Sequence, residues 1–321
     1  MIKVPITCAF DQNMILPAKV CLFSLLHNAL NSTSYDVFVL YKANTISPIE
    51  RQEVEEVFKE SRHRIAFVNV GNVFDNCFQI RGITTVTYYR IIVPHVIGEI
   101  NATFNTAYDR IIYLDVDTIV ECDYGNLYKT FQEDNDFWIA GVRESPLYWI
   151  NELPQYLIES GVDAEGYINA GFLVMNISNL VKNHFFELCK EHLGNEYFFQ
   201  DQDIINLVCN KHKVFIPLKY NFTALLYDKA NVAQDKAFIE ERREDLLDVQ
   251  NAMIHYTGPK PWNEYVRRGN IWWYYYQKSP FYDSSIYIKH FLSIDHSLVN
   301  KSSGKPLLKA LIALIKRKMF K

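Results

Sequence analysis

Two aspartates, Asp115 and Asp117, follow an apolar run that predicts a buried strand over 110–114. Side chains two positions apart on an extended chain point to the same side, so both carboxylates can reach one point. Two carboxylates held that close repel each other, and a divalent cation removes the repulsion. Oxygen ligands suit Mg²⁺ or Mn²⁺. The spacing therefore predicts a metal site after this strand, with a solvated turn as the alternative.

His255 ends a later apolar run and is followed by Gly258 and Lys260, in a loop stiffened by Pro259 and Pro261. An imidazole beside two carboxylates makes a mixed nitrogen and oxygen ligand set, which favours Mn²⁺ over Mg²⁺. A lysine beside a metal is expected when a larger anion such as a diphosphate is bound, and a glycine lets backbone amides approach phosphate closely. The alternative is that His255 is an ordinary core residue.

The elements that would position these residues alternate along the chain. The segments 4–10, 35–41 and 64–70 predict buried strands, and the segments 17–30 and 48–58 between them predict helices. Alternation of this kind is typical of a parallel, doubly wound α/β sheet. Ligands of such sheets bind at the carboxyl ends of the strands, where Asp115 and Asp117 lie.

The rest of the chain continues the pattern. Further strands are predicted over 138–142, 166–177, 214–218 and 252–255, and helices are predicted over 84–97, 185–192, 199–206 and 235–248. The first predicted strand lacks a following Gly-x-Gly-x-x-Gly turn, and the chain lacks a Gly-x-x-x-x-Gly-Lys loop. These two observations argue against a dinucleotide dehydrogenase and against a P-loop nucleotidase.

Composition limits the remaining classes. A length of 321 residues suits one large α/β domain or two smaller ones, and a net charge of -4 gives no indication of nucleic-acid binding. None of the 6 cysteines forms a Cys-x-x-Cys pair, which indicates buried free thiols in a reducing compartment. No signal peptide or membrane-spanning run is recognisable. We therefore expect a cytoplasmic protein.

Several segments occur together in a specific order. They are Ala9-Phe10-Asp11-Gln12-Asn13, Thr87-Tyr88-Tyr89-Arg90, Leu114-Asp115-Val116-Asp117, Asn169-Ala170-Gly171, Gln200-Asp201-Gln202-Asp203 and His255-Tyr256-Thr257-Gly258-Pro259-Lys260-Pro261-Trp262. In number and order these segments resemble glycosyltransferase family 8, the retaining bacterial galactosyl- and glucosyltransferases related to glycogenin. The resemblance covers the chain from about residue 6 to residue 262.

The resemblance implies a GT-A fold, in which helices flank a Rossmann-like, mostly parallel central sheet. It also implies a UDP-sugar donor, UDP-galactose or UDP-glucose, and Mn²⁺ as cofactor with Mg²⁺ as the alternative. The implied metal ligands are Asp115, Asp117 and His255. The other implied cofactor- and donor-binding residues are Ala9, Asp11, Asn13, Arg90, Val116, Asn169, Ala170, Gly258 and Lys260.

The implied catalytic residues are Asp201 and Gln202, which would lie near the anomeric carbon of the donor. Gln202 is a poor nucleophile, and Asp201 is a better one unless it only binds a sugar hydroxyl. A covalent adduct and a same-face attack both stay open. The alternative for Asp201 and Asp203 is capping of the helix that follows, and for Arg90 it is a salt bridge on a helix surface.

The composition changes near residue 279. We expect a catalytic domain over 1–278 and a C-terminal helical appendage over 279–321. The segment 305–321 is apolar and basic with no acidic residue, which is typical of a helix lying on an anionic membrane surface. We favour this peripheral contact at the inner face of the cell membrane over a helix docked on the protein's own core or on a dimer partner. A membrane contact fits a saccharide or lipid-linked saccharide acceptor.

A different class of function stays open at this point. A protein that binds or hydrolyses a UDP-sugar without a glycosyl acceptor, or a nucleotidyltransferase, would share the strand and carboxylate arrangement. A nucleotidyltransferase usually carries a glycine-rich basic loop after the first strand, and Asp11-Gln12-Asn13 is not of that type.

Overall fold

A computed structural model describes residues 1–79, 84–144, 153–223, 251–266 and 268–301. The chain forms two compact units, Met1–Gly258 and Pro259–Lys321. The predicted helix over 235–248 and the predicted basic segment 305–321 lie outside the described residues. The predicted domain boundary after residue 278 falls within the second unit and stays a prediction.

The first unit contains all ten described strands. They are β1 Ile2–Ala9, β2 Thr33–Tyr41, β3 Arg64–Asn69, β4 Arg110–Leu114, β5 Thr118–Val120, β6 Ile139–Arg143, β7 Ile168–Asn176, β8 Lys213–Phe215, β9 Phe222–Thr223 and β10 Met253–His255. Seven of them form one sheet in the order β3-β2-β1-β4-β7-β6-β8. Only β7 runs antiparallel to its neighbours in this sheet. The prediction of a mostly parallel α/β sheet is confirmed.

Helices flank this sheet along the chain. They are α1 Ile15–His27, α2 Pro48–Glu55, α3 Ile97–Phe104, α4 Gly125–Glu133, α5 Leu153–Glu159, α6 Ile177–Lys182, α7 Phe185–Lys190 and α8 Asp201–Cys209. Helix α2 shows how local sequence sets a boundary. Ser47 accepts a hydrogen bond from the backbone of Glu50, whose side chain accepts one from the Ser47 backbone, and Pro48 occupies the first turn.

The prediction of one helix over 84–97 is wrong. The structure has a 3-10 helix over Thr85–Ile92, then a turn, and α3 begins only at Ile97. Pro94 explains the interruption, because it has no N–H to donate to the preceding turn and its ring blocks helical continuation. Arg90 therefore lies, buried, on a short 3-10 element and not on a surface helix.

A second, small sheet joins distant parts of the chain in the order β5-β10-β9. Strand β10 runs antiparallel to β5, which places His255 opposite Thr118. It runs parallel to β9, which places His255 opposite Thr223. The backbone N–H of Tyr256 also donates to the carbonyl oxygen of Asp117 at 3.0 Å. These bonds bring the end of β10 to the loop that follows β4.

All six cysteines are free and buried, as the sequence predicted. In the second unit, α9 Gly269–Lys278 and α10 Ser284–Lys301 are the described helices. Trp273 of α9 stacks its ring near His290 of α10, with centroids 4.2 Å apart, and donates to the Pro261 carbonyl at 3.0 Å. Among the described residues, no helix is both long enough and apolar enough to cross a bilayer.

Candidate metal and donor-sugar site

The loop after β4 presents Asp115 and Asp117 with buried Val116 between them. The backbone N–H of Asp115 donates to the carbonyl oxygen of Gly171 at 2.8 Å, which ties the loop to β7. The hydroxyl of Thr118 donates to the carbonyl oxygen of Asp115 at 2.8 Å. These backbone bonds hold the two carboxylates at the tip of the central sheet, and both side chains keep about a fifth of their surface exposed.

His255 meets the two carboxylates at this tip. Its Nε2 atom lies 3.2 Å from Oδ1 of Asp117 and 3.8 Å from Oδ2 of Asp115. One ligand atom from each of the three side chains falls within 4.8 Å of the others. The structure thus brings together the three residues that the sequence nominated as metal ligands, although Asp117 and His255 are 138 positions apart in the chain.

The donor set suits a divalent cation. Two carboxylate oxygens and an imidazole nitrogen form a mixed set of the type that Mn²⁺ accepts. The Nδ1 atom of His255 lies 2.9 Å from Oδ1 of Asn221, so Nε2 is the nitrogen that faces the carboxylates. A hydrogen-bond partner on the ring nitrogen that does not bind the metal commonly orients a metal-binding imidazole.

Gly171 leaves room for the imidazole. A Cβ atom at this position would lie 2.2 Å from Cε1 and 2.6 Å from Nδ1 of His255. No side chain tolerates contacts that short, so any larger residue would push the ring away from the carboxylates. The glycine of the Asn169-Ala170-Gly171 segment is therefore a steric requirement of the histidine position.

Arg90 connects the group of candidate metal ligands to helix α8. Its guanidinium donates to Oδ1 of Asp115 at 2.9 Å and to Oδ2 at 3.3 Å, and it also donates to the Ala170 carbonyl. Its Nε lies 2.9 Å from Oδ2 of Asp201. Burial opposes the charge, but Asp115 and Asp201 outweigh it and hold the pKa of Arg90 above its ordinary value. Arg90 is a buried bridge between two acids.

Asp201 lies at the first position of α8 and is almost fully buried. Besides the ion pair with Arg90, it accepts a hydrogen bond from the Thr87 hydroxyl at 2.6 Å. Burial raises the pKa of Asp201 to about 6, against the opposing influence of Arg90 and Thr87. Partners on the 3-10 element, and not a capped backbone, thus surround this carboxylate.

Gln202, Asn169 and Ala170 form a second buried group beside the ion pair. The amide oxygen of Gln202 accepts from the Ala170 backbone N–H at 2.9 Å. The amide groups of Gln202 and Asn169 both donate to Oε2 of Glu144, at 2.9 and 2.6 Å. The sequence analysis named Gln202, Asn169 and Ala170 as site residues. The structure connects this group through Glu144, which the sequence analysis did not name.

Asp203 takes a structural position. It accepts hydrogen bonds from the hydroxyls of Tyr156 and Tyr167 and, at 2.9 Å, from the backbone N–H of Phe199. Three donors around one buried carboxylate indicate a structural role for Asp203. The backbone donor, Phe199, precedes α8 and is not an N–H of its first turn, so capping of α8 by Asp203 stays a prediction.

The segment after β1 lies next to the strand that carries the acids, because β1 pairs with β4 in parallel. Ala9 ends β1, and Asp11 accepts from the backbone N–H of Asn13 at 2.9 Å, which begins a short 3-10 turn. Gly258 has a φ of +80°, a conformation that favours glycine. Lys260 belongs to the second unit, where its carbonyl accepts from the backbone N–H groups of Asn263 and Glu264.

Sequence reasoning missed Glu144 and Asn221 as site residues, and it named Thr87 and Gly171 only as parts of segments. Glu144 follows a predicted strand as Asp115 does, and a search for acids at strand ends would have found it. Asn221 stands in an Asn-x-Thr triplet, which gives no indication of such a role. Nothing in its neighbours indicates that it faces an imidazole.

Comparison with known proteins gives a consistent result. The sequence model described as glycosyl transferase family 8 matches residues 5–265. A lipopolysaccharide 1,3-galactosyltransferase of Salmonella typhimurium is 24% identical over 277 residues, which cover 82% of this chain and 74% of that protein.

Solved structures share the architecture. The galactosyltransferase LgtC, solved with donor and acceptor sugar analogs, superimposes with a TM-score of 0.70 at 22% identity, covering 88% of this chain and 98% of that one. The bifunctional glycosyltransferase WbbM gives a TM-score of 0.72 at 20% identity, covering 90% of this chain and 52% of that one. At these identities the likeness shows the fold, and the predicted GT-A fold is confirmed.

Proposed function

Because this chain belongs to glycosyl transferase family 8, we propose that it moves a glucose or galactose residue from a UDP-sugar to a saccharide or lipid-linked saccharide, with retention of configuration and with Mn²⁺. The observation that carries this proposal is the convergence of Asp115, Asp117 and His255, whose ligand atoms fall within 4.8 Å of one another. No other group of three or more such side chains arises among the residues that the structure describes.

The chemical task is to break the bond between an anomeric carbon and a diphosphate. A bound Mn²⁺ would act as a Lewis acid and take up charge that develops on the leaving diphosphate. Asp115, Asp117 and His255 would hold the ion. Of the mixed ligand set, the imidazole is the feature that favours Mn²⁺ over Mg²⁺.

The nucleotide would bind at the carboxyl ends of β1 and β4, with Ala9, Asp11 and Asn13 at the uracil and ribose. The pairing of these two strands supports this assignment, because it puts the segment after β1 beside the acids. Gly258 would let backbone amides approach the diphosphate, and its positive φ supports that role. Lys260 would supply the positive charge.

The transferred hexose would contact Arg90, Asn169, Ala170, Asp201 and Gln202. Four of these side chains, all but that of Ala170, are buried and polar, which supports the assignment because placed polar groups in a pocket suit sugar hydroxyls. Arg90 would keep Asp201 ionised and oriented, and the hydrogen bond that Gln202 accepts from the Ala170 backbone N–H would set the direction of the Gln202 amide.

The acceptor would be a saccharide at or near a membrane, with the segment 305–321 in contact with anionic lipid. The relative from Salmonella typhimurium, which its name describes as a lipopolysaccharide enzyme, supports this choice. Removal of residues after Gly304 should move the protein from the membrane fraction to the soluble fraction. An unchanged distribution would contradict the membrane contact.

A donor screen tests the proposal directly. UDP-galactose and UDP-glucose are each incubated with and without a saccharide acceptor, in Mn²⁺ or in chelator, and UDP and product are measured separately. We expect one donor to be favoured, with sugar appearing on the acceptor only in Mn²⁺. Release of UDP that is unaffected by any acceptor would instead support the hydrolytic alternative.

Calorimetry with UDP supplies a second measurement that does not depend on the acceptor. We expect UDP to bind in Mn²⁺ and to bind much more weakly in chelator. Equal binding in both conditions would contradict the proposal that a metal ion helps to bind the diphosphate.

A further inference from the structure

Five buried polar side chains form a continuous hydrogen-bonded line, which we call the amide relay: Gln202, Glu144, Asn169, Asn221 and His255. Oε2 of Glu144 accepts from the amide groups of Gln202 at 2.9 Å and Asn169 at 2.6 Å. Oδ1 of Asn169 accepts from the amide group of Asn221 at 2.7 Å. Oδ1 of Asn221 lies 2.9 Å from Nδ1 of His255. The relay therefore runs from a candidate catalytic residue to a candidate metal ligand.

The direction of the relay is set by groups that have only one hydrogen-bonding role. A backbone N–H can only donate, and Gly171 donates to Oδ1 of Asn169 while Ala170 donates to Oε1 of Gln202, each at 2.9 Å. Both amides must then direct their NH₂ groups to Oε2 of Glu144, which accepts both hydrogen bonds. The two constraints agree on one orientation for each amide.

The orientation passes to the imidazole. Since Oδ1 of Asn169 is an acceptor, Asn221 must point its NH₂ group at Asn169 and its oxygen at His255. An amide oxygen only accepts, so Nδ1 of His255 must carry a hydrogen. In the neutral ring, Nε2 is then left with a lone pair, and this atom faces Asp115 and Asp117.

We propose that Glu144 and Asn221 are positioning residues that hold His255 in its Nδ1–H tautomer, ready to bind a cation through Nε2. This inference rests on the metal role given to His255 in the proposed function. It adds that the ligand is prepared in the metal-free protein, so metal binding needs no change of tautomer or ring orientation. Gly171 completes the arrangement, because the ring fits only where that residue has no side chain.

The relay also stabilises the carboxylate of Glu144 in its buried position. A carboxylate out of water is unfavourable unless donors surround it, and here two amide groups supply hydrogen bonds. The same acid that orients Gln202 beside the proposed hexose site orients Asn169 toward the metal ligand. A single change at Glu144 should therefore disturb both ends of the relay.

Nuclear magnetic resonance on the metal-free, full-length protein tests the tautomer. Long-range nitrogen spectra of the ring, at about pH 8 where an ordinary histidine is neutral, distinguish the two tautomers. His255→Gln assigns the signal. We expect Nδ1 to carry the hydrogen in the native protein. A ring whose hydrogen lies on Nε2 would overturn the proposal.

Binding of Mn²⁺ alone, measured by calorimetry, tests the consequence. Asn221→Leu should weaken Mn²⁺ binding by about 10–100-fold, the usual loss when such an orienting partner is removed. The matched control is Asn176→Leu, which changes a buried amide at the far end of β7 and should leave the tautomer and the Mn²⁺ affinity unaltered. Equal affinities in native protein and Asn221→Leu would overturn the proposal.

Glu144 is tested by a pair of variants. Glu144→Leu removes the acceptor, so the His255 spectrum should show a mixture of tautomers and Mn²⁺ affinity should fall. Glu144→Gln keeps one amide oxygen where Oε2 accepts both bonds, and it should restore the native tautomer. If native protein fails to bind Mn²⁺, the metal assignment of the proposed function is wrong, whereas the tautomer of the metal-free ring still decides the relay.

Discussion

Two carboxylate clusters in this molecule, an open one at the sheet tip and a closed one around helix α8, differ in how completely hydrogen-bond donors surround their acids. In the open cluster, Asp115 and Asp117 face His255 at the sheet tip and remain partly exposed. In the closed cluster, Asp203 is fully buried and accepts from two tyrosines and a backbone N–H. A carboxylate already surrounded by donors has little to offer a ligand, whereas repelling acids at an open edge can take a cation.

Helix α8 joins the two clusters. Asp201 and Asp203 are two residues apart, yet the first pairs with Arg90, which also contacts Asp115 of the open cluster, and the second belongs to the closed one. Two aspartates in the same segment can therefore have different environments, so neither the residue type nor its position in the segment shows what a carboxylate does. The partners across the fold decide how each carboxylate is surrounded.

The largest expected effect is at Asp117 in the open cluster. Asp117→Asn should lower sugar transfer by about 100-fold or more, because a metal supplies several kcal/mol of charge stabilisation and each 1.4 kcal/mol is tenfold in rate. Mn²⁺ binding should be lost while the thermal transition is kept. Asp136→Asn, at an exposed position, is the control. Native activity in Asp117→Asn would remove the assignment of the open cluster.

Gly171→Ala tests the same cluster without changing any charge. The added Cβ would sit 2.2 Å from Cε1 of His255, so the ring must move away from the two acids. We expect Mn²⁺ affinity, measured by calorimetry, to fall by about 10–100-fold, as when a ligand loses its orientation. Gly98→Ala, where a Cβ meets no atom within 4 Å, should bind Mn²⁺ normally. Normal binding by both variants would contradict the described position of the ring.

Asp201→Asn should separate activity from stability. Burial raises the pKa of Asp201 from 3.8 to about 6, so ionisation in the folded protein is unfavourable by about 3 kcal/mol. Native protein should lose this stability as the pH rises from about 4 to about 6, and the variant, which does not titrate, should not.

The measurement for Asp201→Asn is thermal unfolding of metal-free protein across that range. The Tm of the variant minus that of native protein should increase with pH and level off above about 6. In the variant, Arg90 loses its ionised partner Asp201. This loss lowers the Tm difference by the same amount at every pH and does not change its slope. A difference that is independent of pH would show that Asp201 has an ordinary pKa. Transfer activity of the variant should fall at every pH.

Asp203→Asn has the smallest expected effect, and it falls on stability alone. One acceptor oxygen becomes an NH₂ group facing a donor, which should lower the free energy of unfolding by about 2 kcal/mol, the range for hydrogen bonds to charged groups. Denaturant unfolding measures the loss. Mn²⁺ affinity should equal that of native protein. A variant that keeps its stability and loses Mn²⁺ would place Asp203 with the open cluster and end the comparison.

Part of this outcome could be predicted from local sequence. The strand before Asp115, the helix that begins after Ser47 and the alternation of strands and helices depend on neighbouring residues, and these predictions are confirmed. The helix over 84–97 failed for an equally local reason, since Pro94 should have counted against it. Family resemblance led to Arg90, to the acids Asp115 and Asp201 that pair with it, and to Gln202, but not to Glu144, which accepts a hydrogen bond from Gln202.

The sequence by itself determined that two carboxylates share one side of a strand end, because an extended chain repeats every two residues and this needs no distant partner. Only the tertiary structure decided that His255 reaches them, since the pairing of β10 with β5 is what carries the imidazole across. It also decided that Glu144 and Asn221 belong to the site. Their roles arise from hydrogen bonds between residues far apart in the chain, which no local pattern encodes.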